Sequence, residues 1–223
     1  MKRMGNKKKL GQLGFTLVEM MVSVAILTTV VGVVVDGLAQ LQQRNTMETT
    51  KVDLTQESRE FMDQIVSDIR QAGYPGLQLF DPATKPLGTN DPGVASPGMV
   101  NITNSSLQFE GDVDGSGVVS EVFIQLNPVN GPCPCVIQRG AVTKALWQGG
   151  TLPVYYTEVN NVNNTTIFQG YDNGGNQLVL AGAPPANLAA IEITLNVKSP
   201  LPDVSGIYPT ITMSTATKIV NLN

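Results

Sequence analysis

The chain has 223 residues, 14 Lys and Arg against 18 Asp and Glu, two Cys and no His. That length suits one anchor segment and one globular domain. The absence of His removes Ser-His and Cys-His catalysis and the commonest zinc ligand. A net charge of −4 gives no support to a general nucleic-acid-binding surface, which needs a basic patch.

The first element in chain order is a basic leader, with Lys2, Arg3, Lys7, Lys8 and Lys9 ahead of an apolar run. Without residues 1–14, nine basic residues remain against 18 acidic ones, a net charge of −9. Phe15 to Val35 is long enough, at about 1.5 Å per residue, to span a hydrocarbon core of roughly 30 Å. Basic charge on its N-terminal side predicts a cytoplasmic N-terminus and an extracytoplasmic remainder. Glu19 stands near the head of this run. A charge at mid-span costs roughly 2.5–3.5 kcal/mol on insertion scales, and less near an end. A secretory signal peptide cut near Gly37-Leu38-Ala39 and a plain signal anchor are two readings of the segment. Neither accounts for the order Gly14-Phe15-Thr16-Leu17-Val18-Glu19.

Gly14-Phe15-Thr16-Leu17-Val18-Glu19-Met20-Met21-Val22 resembles the type IV prepilin processing motif. The resemblance implies cleavage between Gly14 and Phe15 by prepilin peptidase, N-methylation of Phe15, and a Glu19 that pairs with the new amine of a neighbouring subunit. A buried carboxylate is tolerable when paired and costly when alone, and such a pair would set axial register. The alternative is a Glu19 that snorkels to the interface within one subunit.

From Phe15 to Tyr74 there is no proline. Leu54, Phe61, Met62, Ile65 and Ile69 recur at three- and four-residue steps, which predicts an amphipathic continuation of the same helix. The expected helix has about 60 residues and a length of roughly 90 Å. Gln42–Asp53 reads as an exposed polar neck, and Gly73 and Pro75 as the stop. The Pro that kinks many pilin helices is replaced by Asp36. The stretch 76–98 reads as a loop. Beyond it, alternating or β-branched runs predict strands at Met99–Thr103, Ser106–Glu110, Val118–Leu126, Val136–Arg139, Val154–Val159, Thr165–Gln169, Gln177–Leu180, Ala189–Lys198 and Thr210–Val220. A helix followed by strands argues for an α+β fold with antiparallel sheet. The organisation expected is a leader at 1–14, a membrane or filament-core helix at 15–35, its amphipathic continuation at 36–74, a loop at 75–98 and a β-rich domain at 99–223.

Past the N-terminus the chain resembles PilW-like minor pilins and, more distantly, J-type minor pseudopilins. The residues that carry this are Asp68-Ile69-Arg70-Gln71-Ala72-Gly73-Tyr74 and Leu107 to Gly117, with Val136–Arg139, Gly170–Gly175 and Ile191–Val197. The resemblance implies a pilin-like fold, other pilins and minor pilins as partners, residence in the bacterial inner membrane and then the pilus or cell surface, and a part in initiating filament assembly. A pseudopilin of a type II secretion or competence system is one alternative. A pilus-associated adhesin is the other, with Asn101–Asn104 and Asn160–Asn164 as its contact loops. No enzyme, nucleic-acid partner or small-molecule substrate is expected.

Two local features remain. Asp112, Asp114 and Ser116 alternate before Gly115 and Gly117 as in a calcium loop. The position where an EF-hand has its bidentate Glu is Phe123, however, and Asp-Gly and Ser-Gly are also turn chemistry. No other cofactor is expected. Cys133 and Cys135 flank Pro134, and outside the cytoplasm they can form a local disulfide that stiffens a loop. Free thiols or an intersubunit bond are the alternatives.

Overall fold

The computed structural model describes residues 16–76, 96–128, 132–203 and 205–219. Gly14 and Phe15 lie outside the described residues, as does most of the expected loop, at 77–95. The chain forms two compact units that meet in sequence between Thr46 and Met47.

The helix α1 runs from Leu17 to Gln71 and so contributes to both units. Within the first unit it is the only element described, and its apolar side chains from Leu17 to Leu41 are exposed. It carries a segment long and apolar enough to cross a membrane. Within the second unit, Met47, Leu54, Phe61, Met62, Ile65 and Ile69 are buried. Met47 is therefore a buried residue within the neck expected to be exposed over Gln42–Asp53. The helix stops where Gly73 adopts a φ of 80°, the left-handed cap that glycine adopts without steric cost.

Among the described residues the strands are β1 (Met99–Thr103), β2 (Ser106–Gly111), β3 (Ser120–Asn127), β4 (Cys135–Thr143), β5 (Val154–Val162), β6 (Phe168–Tyr171), β7 (Gln177–Leu178), β8 (Ala181–Gly182), β9 (Ala190–Lys198) and β10 (Thr210–Lys218). One turn of helix, α2 (Lys144–Gln148), follows β4. The sheet runs β7-β6-β9-β5-β4-β3-β2-β1-β8, with β10 pairing β9, and its pairings are antiparallel. The architecture is the α+β, pilin-like one expected: a long N-terminal helix whose later turns pack on an antiparallel sheet.

The core follows from alternation. Ile191, Ile193, Leu195 and Val197 of β9 are buried, with half-buried residues between them. They join Leu107 and Phe109 of β2, Val122, Ile124 and Leu126 of β3, and the apolar stripe of α1 in one cluster. A period of two on the strands thus meets a period of 3.6 on the helix.

Several strands differ from expectation in extent. β6 begins at Phe168 rather than Thr165, because Ile167 and Phe168 both donate their backbone N–H to Asn104 O. β4 and β5 run longer than their β-branched stretches, and β8 and α2 are additions.

The helix end is joined to β2 by main-chain bonds. Gly73 N–H donates to Glu110 O at 2.9 Å, and Asp112 N–H donates to Tyr74 O at 2.9 Å. Ala72 bridges Gly111. A Cβ at Gly111 would lie 2.6 Å from Gln71 O, so this approach requires glycine.

Candidate functional site

The start of α1 is built by four residues, Thr16-Leu17-Val18-Glu19. The first N–H groups of a helix have no partner within it. Here Glu19 N–H donates to Thr16 Oγ1 at 3.2 Å. The Glu19 carboxylate reaches back, and Oε2 accepts from Thr16 N–H at 2.8 Å and from Thr16 Oγ1 at 3.0 Å. This is the reciprocal capping box of a Thr-x-x-Glu sequence. Glu19 therefore has a partner within its own chain, an arrangement the spacing to Phe15 does not suggest. The Thr-x-x-Glu pattern before an apolar run was the available signal. Thr16 is the residue that a reading centred on the Glu misses.

Beyond the cap, Ser23, Thr28 and Thr29 turn their hydroxyls onto the carbonyls of Glu19, Val24 and Ala25, at 2.8, 2.7 and 2.9 Å. Their polar atoms are satisfied inside the helix, as an apolar surrounding requires. The helix surface here is left to Leu17, Met20, Met21, Val24 and their successors. At its head it offers apolar area and the Glu19 carboxylate, means of burial against lipid or another helix.

The second unit holds three further polar groupings. Asp68, 1% exposed, accepts from Arg139 Nε at 2.9 Å and from Gln64 Nε2 at 2.8 Å. Burial pushes its carboxyl above the usual range, against the opposing pull of Arg139. On β2 and β3, Glu110 and Glu121 stand directly opposite one another. Lys144 of α2 reaches Glu110 Oε2 at 2.7 Å, and Gln108 Nε2 donates to Glu121 Oε1 at 2.6 Å. Burial pushes Glu121 up to about 7; the Gln108 hydrogen bond opposes that rise, and the neighbouring Glu110 adds to it. A polar cleft of about 370 Å³ is lined by Glu57, Glu60, Phe61, Gln64, Arg139 and Glu158.

The third grouping is the turn between β2 and β3. Asp112 Oδ2 accepts from Gly117 N–H at 2.9 Å, Asp114 Oδ1 from Ser116 N–H at 3.0 Å, and Ser116 Oγ from Val118 N–H at 3.3 Å. The Ser116 hydroxyl and amide, and to a smaller extent the Asp112 carboxyl, hold Asp114 below the usual carboxylate range. Among the described residues, no three His, Cys, Asp or Glu side chains converge as a metal-binding group. Cys133 and Cys135 are joined to each other by a disulfide.

Comparison with known proteins matches the prokaryotic N-terminal methylation motif to residues 9–35. No curated protein matches the chain. No solved structure matches it either. The matched stretch includes the capped helix start and most of the bare apolar segment. The motif and the apolar helix that follows it support a type IV pilin-like protein, a structural subunit of the kind that prepilin peptidase processes.

Proposed function

We propose that this chain is a minor pilin of a type IV pilus, cut between Gly14 and Phe15, methylated on Phe15, and part of the small complex that starts the filament. The observation that carries the reading is the methylation motif over residues 9–35, set at the head of a helix whose apolar side chains from Leu17 to Leu41 are exposed. In the lone subunit the Glu19 carboxylate rests on Thr16. In the filament it exchanges that cap for the Phe15 amine of a neighbour, a stronger charge-assisted partner. The minor role and the part in initiation rest on the PilW-like residues near the helix end and in the early hairpin.

Mass spectrometry of the membrane-extracted protein tests processing, with an N-methylated Phe15 terminus expected. A chain cut near Ala39, or one retaining residues 1–14, removes the pilin reading. Assembly is tested by co-purification with other minor pilins. Glu19→Ala should reduce recovery by roughly a hundredfold or more, because a buried charge left without its partner costs about 3–5 kcal/mol. Undiminished recovery of the variant would sink the pairing of Glu19.

A further inference from the structure

We propose that the turn between β2 and β3 is a calcium site held by Asp112, Asp114 and Ser116. Asp112 is only 8% exposed, although it sits at the mouth of a turn. One of its carboxylate oxygens is used, since Oδ2 accepts the Gly117 N–H that closes the turn. The other, Oδ1, is buried and has no hydrogen-bond partner among the described residues. Buried polar atoms are nearly always satisfied, so this oxygen calls for a ligand that the described residues do not supply.

The surroundings say which ligand. The Asp114 carboxylate stands in the same turn, its Oδ1 accepting the Ser116 N–H at 3.0 Å, and the Asp112 carboxyl is among the groups that act on it. Lys144 is engaged elsewhere, held by Glu110 at 2.7 Å. The backbone carbonyls of Asp112 and Val113 are covered as well: the Gln71 amide nitrogen, turned toward them, donates at 2.7 and 3.2 Å. What the turn offers is therefore a set of side-chain oxygens carrying two negative charges, with no nitrogen or sulfur donor among them. Such a set selects a hard cation. Calcium accepts irregular oxygen geometry and completes its shell with water, whereas magnesium demands a near-ideal octahedron. A turn held only by its own hydrogen bonds accounts for Asp112 Oδ2 and Asp114 Oδ1 but leaves Asp112 Oδ1 without a role.

The experiment is isothermal titration of the full chain in detergent with CaCl2, with thermal unfolding followed in parallel. A saturable heat is expected, with a dissociation constant of about 0.1–1 mM, the range of extracellular calcium modules. The unfolding midpoint should rise with it. Asp114 is exposed, so Asp114→Asn should fold normally and lose the response. Asp112→Asn should weaken binding by at least about tenfold by removing one of the two charges. The proposal is overturned by an absence of heat and of any midpoint rise in the unaltered chain. It is equally overturned by an undiminished response in Asp114→Asn, or by an equal response to MgCl2 at the same ionic strength.

Discussion

Residues 16–46 and the unit that begins at Met47 share one helix, yet they treat the same kinds of side chain in opposite ways. Leu27 is 63% exposed, whereas Ile69 is 0% exposed beneath the sheet. In the second unit the chain supplies its own cover, since β2, β3 and β9 bring Phe109, Ile124 and Leu195 into one cluster with the helix. In the first unit, among the described residues, the apolar side chains from Leu17 to Leu41 are exposed, a surface suited to an apolar medium or a neighbouring helix. The same contrast holds for carboxylates. Glu121 is buried among its own chain's groups, while Glu19 is exposed and tied to Thr16. An apolar stripe on a helix thus has two meanings, and what separates them is whether later sequence returns to cover it.

A matched pair of truncations tests that contrast most strongly. Phe109→Ala should destabilise the second unit by about 3–5 kcal/mol, the usual cost of emptying a buried aromatic position. Leu27→Ala should change chemical denaturation of that unit by less than about 0.5 kcal/mol, as for a surface site. Equal losses in the two variants would mean that the apolar segment supports the fold directly, and the contrast would fail.

The two glutamates sharpen it at a smaller scale. Burial raises Glu121 from 4.5 to about 7. Between those values the folded chain binds more protons than the unfolded chain at this position. Its contribution to stability is therefore fully present below about 4.5 and is lost as pH rises through about 7. Urea melts across this window should show stability falling with pH, and Glu121→Gln should flatten the slope. A slope unchanged in the variant would assign the dependence to another group.

The smallest effect expected is that of the disulfide. Cys133 and Cys135 are separated by two positions, so the bond closes a very short loop. Loop-closure entropy then limits its contribution to about 1.5 kcal/mol. Reduction should lower the unfolding midpoint slightly and leave the far-ultraviolet circular dichroism unchanged. Global unfolding on reduction would show that the loop is integral to the sheet.

Much of this was legible in the chain because it was periodic or punctuated. The stripe from Leu54 to Ile69, the alternation over Ile191–Val197 and the stop at Gly73 each follow from local pattern. Pairings across sequence were not legible. Nothing near Asp68 announces Arg139, 71 positions away, and nothing near Glu110 announces Glu121 until strand register is known. α2 is a single turn with no side-chain cap from Thr143, too short for periodicity to mark it. β8 has two residues and is defined only by its pairing with β1. The capping box is local, since Thr16 and Glu19 have the Thr-x-x-Glu spacing, and it is legible in the sequence.

The junction between the helix end and β2 has a mechanical side. The bond from Gly73 to Glu110 and the bond from Asp112 to Tyr74 are main-chain links on either side of the bridge between Ala72 and Gly111. A pull along α1 is delivered at this point to β2, and from β2 to the six residue pairs it shares with β3. Load entering the sheet there is divided among neighbouring ladder bonds rather than falling on one loop. The glycine at 111, which lets the two backbones approach so closely, is in effect the fitting through which the rod of the helix grips the sheet.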